Sequence, residues 1–142
     1  MIDFAPVIGK SDRRWLRWLD AECFPKDVPA ELGDGDWYLG WNGDDAVAFC
    51  GWEPVGPWGF LARAGVLWEA RGQKLQRRMI EMREDAMRRR GLATAVTYTE
   101  TYSAASMRNL IACGYRPFEA DTETTMAPAD RWRHMVHWRK EI

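Results

Sequence analysis

The chain has 142 residues, 46 % of them hydrophobic, nine Trp and a net charge of −1. That is enough for one domain over 1–142 with a real core; it argues for a packed globule against disorder and weakens any general nucleic-acid reading. No apolar run approaches membrane-spanning length, and the opening Met1-Ile2-Asp3-Phe4-Ala5-Pro6 lacks a basic-then-apolar leader pattern. Cys23, Cys50 and Cys113 are odd in number and far apart. Reduced thiols in a cytoplasmic protein are therefore expected, with neither a disulfide frame nor a zinc site.

Residues 2–8 form an expected opening strand. Ser11 is placed to cap a helix in which Trp15, Leu16, Trp18, Leu19 and Cys23 recur at helical spacing, ending before Pro25. Residues 24–36 are rich in Pro and Gly and acidic (Asp27, Glu31, Asp34, Asp36), which reads as a loop. Strands over 37–41 and 46–52 flank Asn42-Gly43-Asp44-Asp45, a hairpin signal, and 60–66 is a third strand after the bend at Val55-Gly56-Pro57. A helix over 72–90 puts Leu75, Met79, Met82 and Ala86 on one face, with Gly91 as its stop. A strand over 93–99 follows. Ser103 then caps a short helix with Met107, Leu110 and Ile111 inward, closed by Gly114. Short strands are expected at 115–118 and 132–138, the last with Trp132, His134, Val136 and Trp138 on one face. Hairpins followed by a strand–helix–strand crossover make an α/β (α+β) domain. Its mixed, mostly antiparallel sheet carries helices on both faces.

The start of the 72–90 helix carries the strongest functional signal. Lys74, Arg77 and Arg78 crowd a helix N-terminus, where each cation is disfavoured by about 0.3–1 kcal/mol. An anion docked on the free N–H groups there reconciles them with the dipole. Arg88-Arg89-Arg90 needs no ligand, because cations suit the negative end of the same helix.

The segment Val66-Leu67-Trp68-Glu69-Ala70-Arg71-Gly72-Gln73-Lys74-Leu75-Gln76 resembles, in register, the V-x-P-x-x-R-G-x-G-x-G/A turn of GNAT-type N-acetyltransferases. Ser103 to Tyr115 resembles that family's N-x-x-A/S…L-G-F/Y segment, in the expected order after the intervening strand. Lys74 and Gln76 stand where the family prefers small residues, Ser103 stands for its usual Asn, and its frequent acid Tyr falls at Leu110. The resemblance implies acetyl-CoA as cosubstrate. Its pyrophosphate would rest on the N–H groups of Arg71, Gly72, Gln73, Lys74, Leu75 and Gln76, with Lys74, Arg77 or Arg78 reaching its phosphates. Its pantetheine would pair with the backbone of Val66 and Trp68, where the fourth and fifth strands of this family splay, and Ser103 and Ser106 would close the other side. A backbone N–H left free at the splay would polarise the thioester carbonyl.

Transfer to an amine needs a base and a proton for the leaving thiolate. Tyr98, Glu100 and Tyr102 share one side of the fifth strand if it stays extended, making Glu100 the first candidate base and Tyr102 or Tyr98 the acid. Arg63 is the one charge in an apolar strand, expected to bind a substrate carboxylate or to pair with Glu53 or Glu100. Glu53 is a second candidate base. His134 and His137 are spaced to face opposite ways, so no metal is expected. The acidic loop favours a cationic acceptor, a small-molecule or peptide amine, and a homodimer is allowed for. No nucleic acid or membrane partner is expected; Glu81, Glu84 and Asp85 interleave with the cations of the basic helix. The leading expectation is an N-acetyltransferase working by direct attack in a ternary complex. The alternative is a non-catalytic acyl-CoA-binding sensor or structural module.

Overall fold

A computed structural model describes residues 1–121 and 126–142. In chain order it contains β1 (Asp3–Pro6), α1 (Gly9–Cys23), β2 (Trp37–Asn42), β3 (Asp45–Val55), β4 (Trp58–Val66) and a 3-10 turn at Trp68–Ala70. There follow α2 (Leu75–Arg89), β5 (Thr94–Glu100), α3 (Ala104–Ala112), β6 (Arg116–Pro117), a second 3-10 turn (Trp132–His134) and β7 (Met135–Glu141). The strands form one sheet in the order β1-β2-β3-β4-β5-β7-β6. Every neighbouring pair is antiparallel except β4 and β5. The expected mixed sheet is therefore present.

Helices cover both faces. Leu16 and Leu19 of α1 pack with Trp37, Leu39 and Phe49 on one side. Leu75, Met79 and Ile80 of α2 and Leu110 of α3 pack with Val47, Cys50 and Leu61 on the other. This two-sided cover explains why β3 is buried without a break from Ala46 to Glu53 and shows no alternation. Gly65 of β4 lets α1 approach closely: a Cβ there would sit 2.9 Å from the Cys23 sulfur.

Four expected boundaries shift for physical reasons. The first helix begins at Gly9, two residues before Ser11, and it is Asp12 whose carboxylate accepts the Ile8 N–H at 2.7 Å. The helix expected from 72 begins at Leu75, because Gly72 and Lys74 have φ of 87° and 56°, outside the helical region. The last strand starts at Met135. Glu100, the end of β5, pairs with Met135, so residues 132–134 have no strand left to pair with and fold as a 3-10 turn. That removes Trp132 and His134 from the strand face assigned to them. Finally, the chain turns after Glu100 (Ser103 N–H to Glu100 O, 3.2 Å), which takes Tyr102 off the side shared by Tyr98 and Glu100 and leaves it 80 % exposed.

Candidate active site

Two strands that begin paired and then part create the site. β4 and β5 pair only at Gly59–Ala95 and Phe60–Val96. One residue further on, the Thr97 hydroxyl donates to Leu61 O at 2.9 Å, and beyond it the strands share no ladder. On the other edge of β4 a bulge sets two residues, Ala62 and Arg63, against Gly51. Arg83, 3 % exposed, pins that bulge from α2 by donating to Gly51 O and Ala62 O at 3.1 and 3.0 Å. Leu67 N–H donates to Val47 O at 2.8 Å, toward β3, so strand alternation turns the Val66 peptide the other way, into the gap. Arg71 Nε reaches back to donate to the Val66 carbonyl at 3.2 Å.

The loop after β4 ends in free donors. Among the described residues the amides of residues 72–77 donate to no carbonyl or side chain; the first helical bond is Arg78 N–H to Lys74 O. Lys74 is the N-cap and adopts the left-handed conformation (φ 56°, ψ 29°). This is a conformation suited to Gly, and it costs a Lys about 1–2 kcal/mol. The side chain is exposed. Gln73 returns to Ala70 O (3.3 Å), and Arg77 reaches Asn109 Oδ1 of α3 (3.3 Å). Arg78 turns away, donating to Ile2 O at 3.1 Å over the Phe4 ring, so it belongs to β1 and not to the loop. Leu75 is core and Gln76 half-buried. Trp68 lies in the 3-10 turn with its carbonyl already taken by Arg71 N–H (3.2 Å) and its indole 79 % exposed beneath the Arg71 guanidinium.

Across the gap, Ser103 is the N-cap residue of α3, but its hydroxyl makes no cap bond, and Ser106 is exposed one turn later. Leu110, the family's Tyr position, is buried in the core. The nearby Tyr115 hydroxyl donates to Glu84 at 2.7 Å, and burial together with that carboxylate pushes the phenol far above its usual range. It is a structural group.

The α1 side of the gap is lined with charge. Arg63 pairs with Asp20 at 2.8 Å and covers the Phe24 ring, so neither expected partner, Glu53 or Glu100, holds it. Asp20 is buried and also accepts Ala30 N–H at 2.9 Å. Tyr98 stacks on Phe60 (5.9 Å between centroids). Burial pushes its phenol up, with Arg63 and Arg131 pulling against it. Glu100, partly exposed, pairs with Arg131 at 3.4 Å. Glu53 is buried and engaged in structure: it accepts from Gly33 N–H, Gly35 N–H and the Trp37 indole at 2.9, 3.0 and 2.6 Å.

The acidic loop divides. Asp36 takes the Trp52 indole N–H (3.0 Å) and faces Arg90, which also donates to Asp34 O, so these two belong to the C-terminal end of α2. Asp27 adds to the rise of the Tyr98 phenol. His134 is exposed, while His137 is buried with Nε2 2.8 Å from Trp132 O. Among the described residues no group of His, Cys, Asp and Glu is placed to hold a metal, no disulfide forms, and no helix is long and apolar enough to cross a membrane. Arg83 went unnoticed in the sequence, and Glu84 was read only as one of the acids interleaved with the helix's cations. Arg83 lies four residues after the inward-facing Met79, which is the signal that could have found it.

No family model matches the chain, and no curated protein matches it. Solved structures do. The ribosomal-protein-S18-alanine N-acetyltransferase of Escherichia coli superposes with a TM-score of 0.77 at 16 % identity, over 100 % of this chain and 94 % of its own. An acetyltransferase of Bacillus subtilis in complex with CoA gives 0.76 at 14 %, over 100 % and 99 %. An acetyltransferase of the GNAT family from Staphylococcus aureus gives 0.78 at 9 %, over 99 % of both. The chain therefore has the GNAT-type acyl-CoA N-acyltransferase fold, a likeness of fold and not of sequence.

Proposed function

We propose that this chain is an acetyl-CoA-dependent N-acetyltransferase in which a bound primary amine attacks the thioester directly. The observation that carries this is the junction of two features. The β4–β5 gap, with the Val66 peptide turned into it, opens beside an N-terminal loop whose amides are free. A pantetheine arm fits the first, as an added strand whose amides pair with Val66, and a pyrophosphate fits the second. The CoA bound to the Bacillus subtilis protein of the same fold supports the assignment.

For pantetheine to pair at Val66, the Arg71 side chain leaves the Val66 carbonyl and turns to the phosphates, joined by Lys74 and Arg77. Ser103 and Ser106 face the same ligand from α3. The amine enters on the α1 side and loses a proton to Glu100, through water, before its nitrogen attacks the carbonyl carbon. The carbonyl oxygen takes up the charge and is held by backbone N–H at the gap. Collapse breaks the C–S bond, the thiolate takes a proton from a phenol, and the second proton of the former amine nitrogen restores that phenol as the neutral amide forms. Tyr98 suits this better than the outlying Tyr102, since burial keeps its proton in place throughout the neutral range. Arg63, held by Asp20, orients the acceptor. The acceptor itself is a small-molecule or peptide amine, and the setting is the cytoplasm.

Heating the purified protein with and without acetyl-CoA tests the proposal: at 100 times Kd a ligand adds about 2.7 kcal/mol of stability. No shift at millimolar acetyl-CoA overturns it. Given binding, release of CoA thiol across an amine panel shows turnover, and Glu100→Gln loses turnover while keeping acetyl-CoA affinity. Full activity in that variant removes Glu100 from the role.

A further inference from the structure

A second cavity lies outside the proposed reaction path, between α1 and the β2–β3 hairpin, with a volume of about 540 Å³. Trp15 and Trp18 wall it, Val47 and Leu67 floor it, and Asp45 and Glu69 stand at its rim. The two indoles meet edge to face at 85°, with centroids 5.9 Å apart. Trp15 is propped from behind by Trp41 at 5.7 Å. Trp18 is 47 % exposed, unusual for a side chain this large on a helix whose other apolar residues are mostly covered. Among the described residues no Lys or Arg lines the cavity. Among the described residues neither the Asp45 nor the Glu69 carboxylate accepts a hydrogen bond or forms an ion pair.

Two perpendicular aromatic walls with unpaired carboxylates at the mouth are the chemistry of an ammonium cage. Indole faces attract a cation through their quadrupole, and the apolar floor takes N-alkyl groups that a hydrated metal ion or a primary ammonium would not offer. An anion is repelled by the rim, and a neutral apolar ligand gains nothing from the two carboxylates. We infer that this pocket binds a small alkylated organic cation of the quaternary ammonium class. Leu67 follows Val66 directly, so the cation lies beside the end of β4, yet its binding does not depend on any CoA chemistry there.

The test uses the whole protein without acetyl-CoA, with choline and its neutral carbon isostere 3,3-dimethylbutan-1-ol as probes. Binding is followed through the indole N–H resonances of Trp15 and Trp18, assigned with Trp15→Phe and Trp18→Leu. Choline is expected to give saturable shifts on these two indoles, with the isostere at least about fivefold weaker. Glu69→Gln and Asp45→Asn are each expected to weaken choline by about threefold with the thermal midpoint unchanged. Equal affinity for the two probes, shifts reproduced by sodium chloride alone, or no saturable shift up to about 50 mM choline would overturn the inference. Because acetyl-CoA is absent, failure here leaves the acetyltransferase reading standing, and failure of the acetyl-CoA thermal shift leaves this one.

Discussion

The two ends of α2 are equally crowded with cations and are settled in opposite ways. At the C-terminal end Arg88 pairs with Asp85 at 2.8 Å, and Arg90 meets Asp34 O, the Asp36 carboxylate and the Trp52 ring. Dipole and partners agree there, and the fold itself satisfies the charges. At the N-terminal end the dipole opposes them. Among the described residues Arg77 finds a neutral amide, Arg78 a carbonyl, and Lys74 no partner, while its own backbone is held left-handed. The same residue type thus reads as structure at one end and as a ligand site at the other, and the difference lies in what surrounds it.

The contrast can be broken experimentally. The largest effect is expected from reversing the charges at the N-terminal end. Lys74→Glu with Arg77→Glu should raise the acetyl-CoA Kd by roughly 30–100-fold while leaving thermal stability level or slightly higher, since acids suit that end. Unchanged affinity in calorimetry would show that the loop binds no phosphate. The middle of the helix supplies a reference that answers to neither end. It packs on Cys50, fully buried, whose thiol burial pushes up to about 11 despite the pull of Arg83. The folded state then holds a proton that the unfolded chain has lost. This stabilisation is complete below the ordinary thiol pKa and disappears as pH rises toward 11. The loss should be about 2 kcal/mol in denaturant titrations and should be reduced in Cys50→Ala.

Smaller still is Arg90→Ala, expected to cost about 1–2 kcal/mol of stability with acetyl-CoA affinity unaltered, the mirror image of the N-terminal variant. The smallest effect is the most specific. Lys74→Gly should gain about 1 kcal/mol by relieving the left-handed backbone, while binding acetyl-CoA several-fold more weakly. A loss of stability on that substitution would mean that the Lys side chain itself holds the loop.

Element types were readable because α1 and α2 keep one apolar stripe each and the Asn42–Asp45 turn joins two strands in register. The phosphate loop was readable through its cations and through the Arg71-Gly72 pair. What failed was local. Alternation at Trp132, His134, Val136 and Trp138 mimics a strand, but the partner strand ends first, and a partner's length is not written in the segment itself. Arg63 was marked as needing a counter-ion, yet Asp20 lies 43 residues away on another element, beyond what spacing can specify. Buried Arg83 and Glu84 looked like two more charges on an amphipathic helix. Only the three-dimensional partners, the bulge carbonyls for one and Tyr115 with Lys140 for the other, reveal that they face inward.

The narrowness of the β4–β5 junction has a mechanical consequence. In the sheet's hydrogen bonding, four strands on one side and three on the other are linked by two ladder positions and the Thr97 hydroxyl. The seam is therefore the line along which the sheet has the fewest hydrogen bonds, and the two halves are held together mainly by the core that α2 and α3 share with both and by the Phe60–Tyr98 stack. A ligand that hydrogen-bonds along the seam couples them. Amide exchange on the strand edges flanking the seam should then slow together when the ligand is bound.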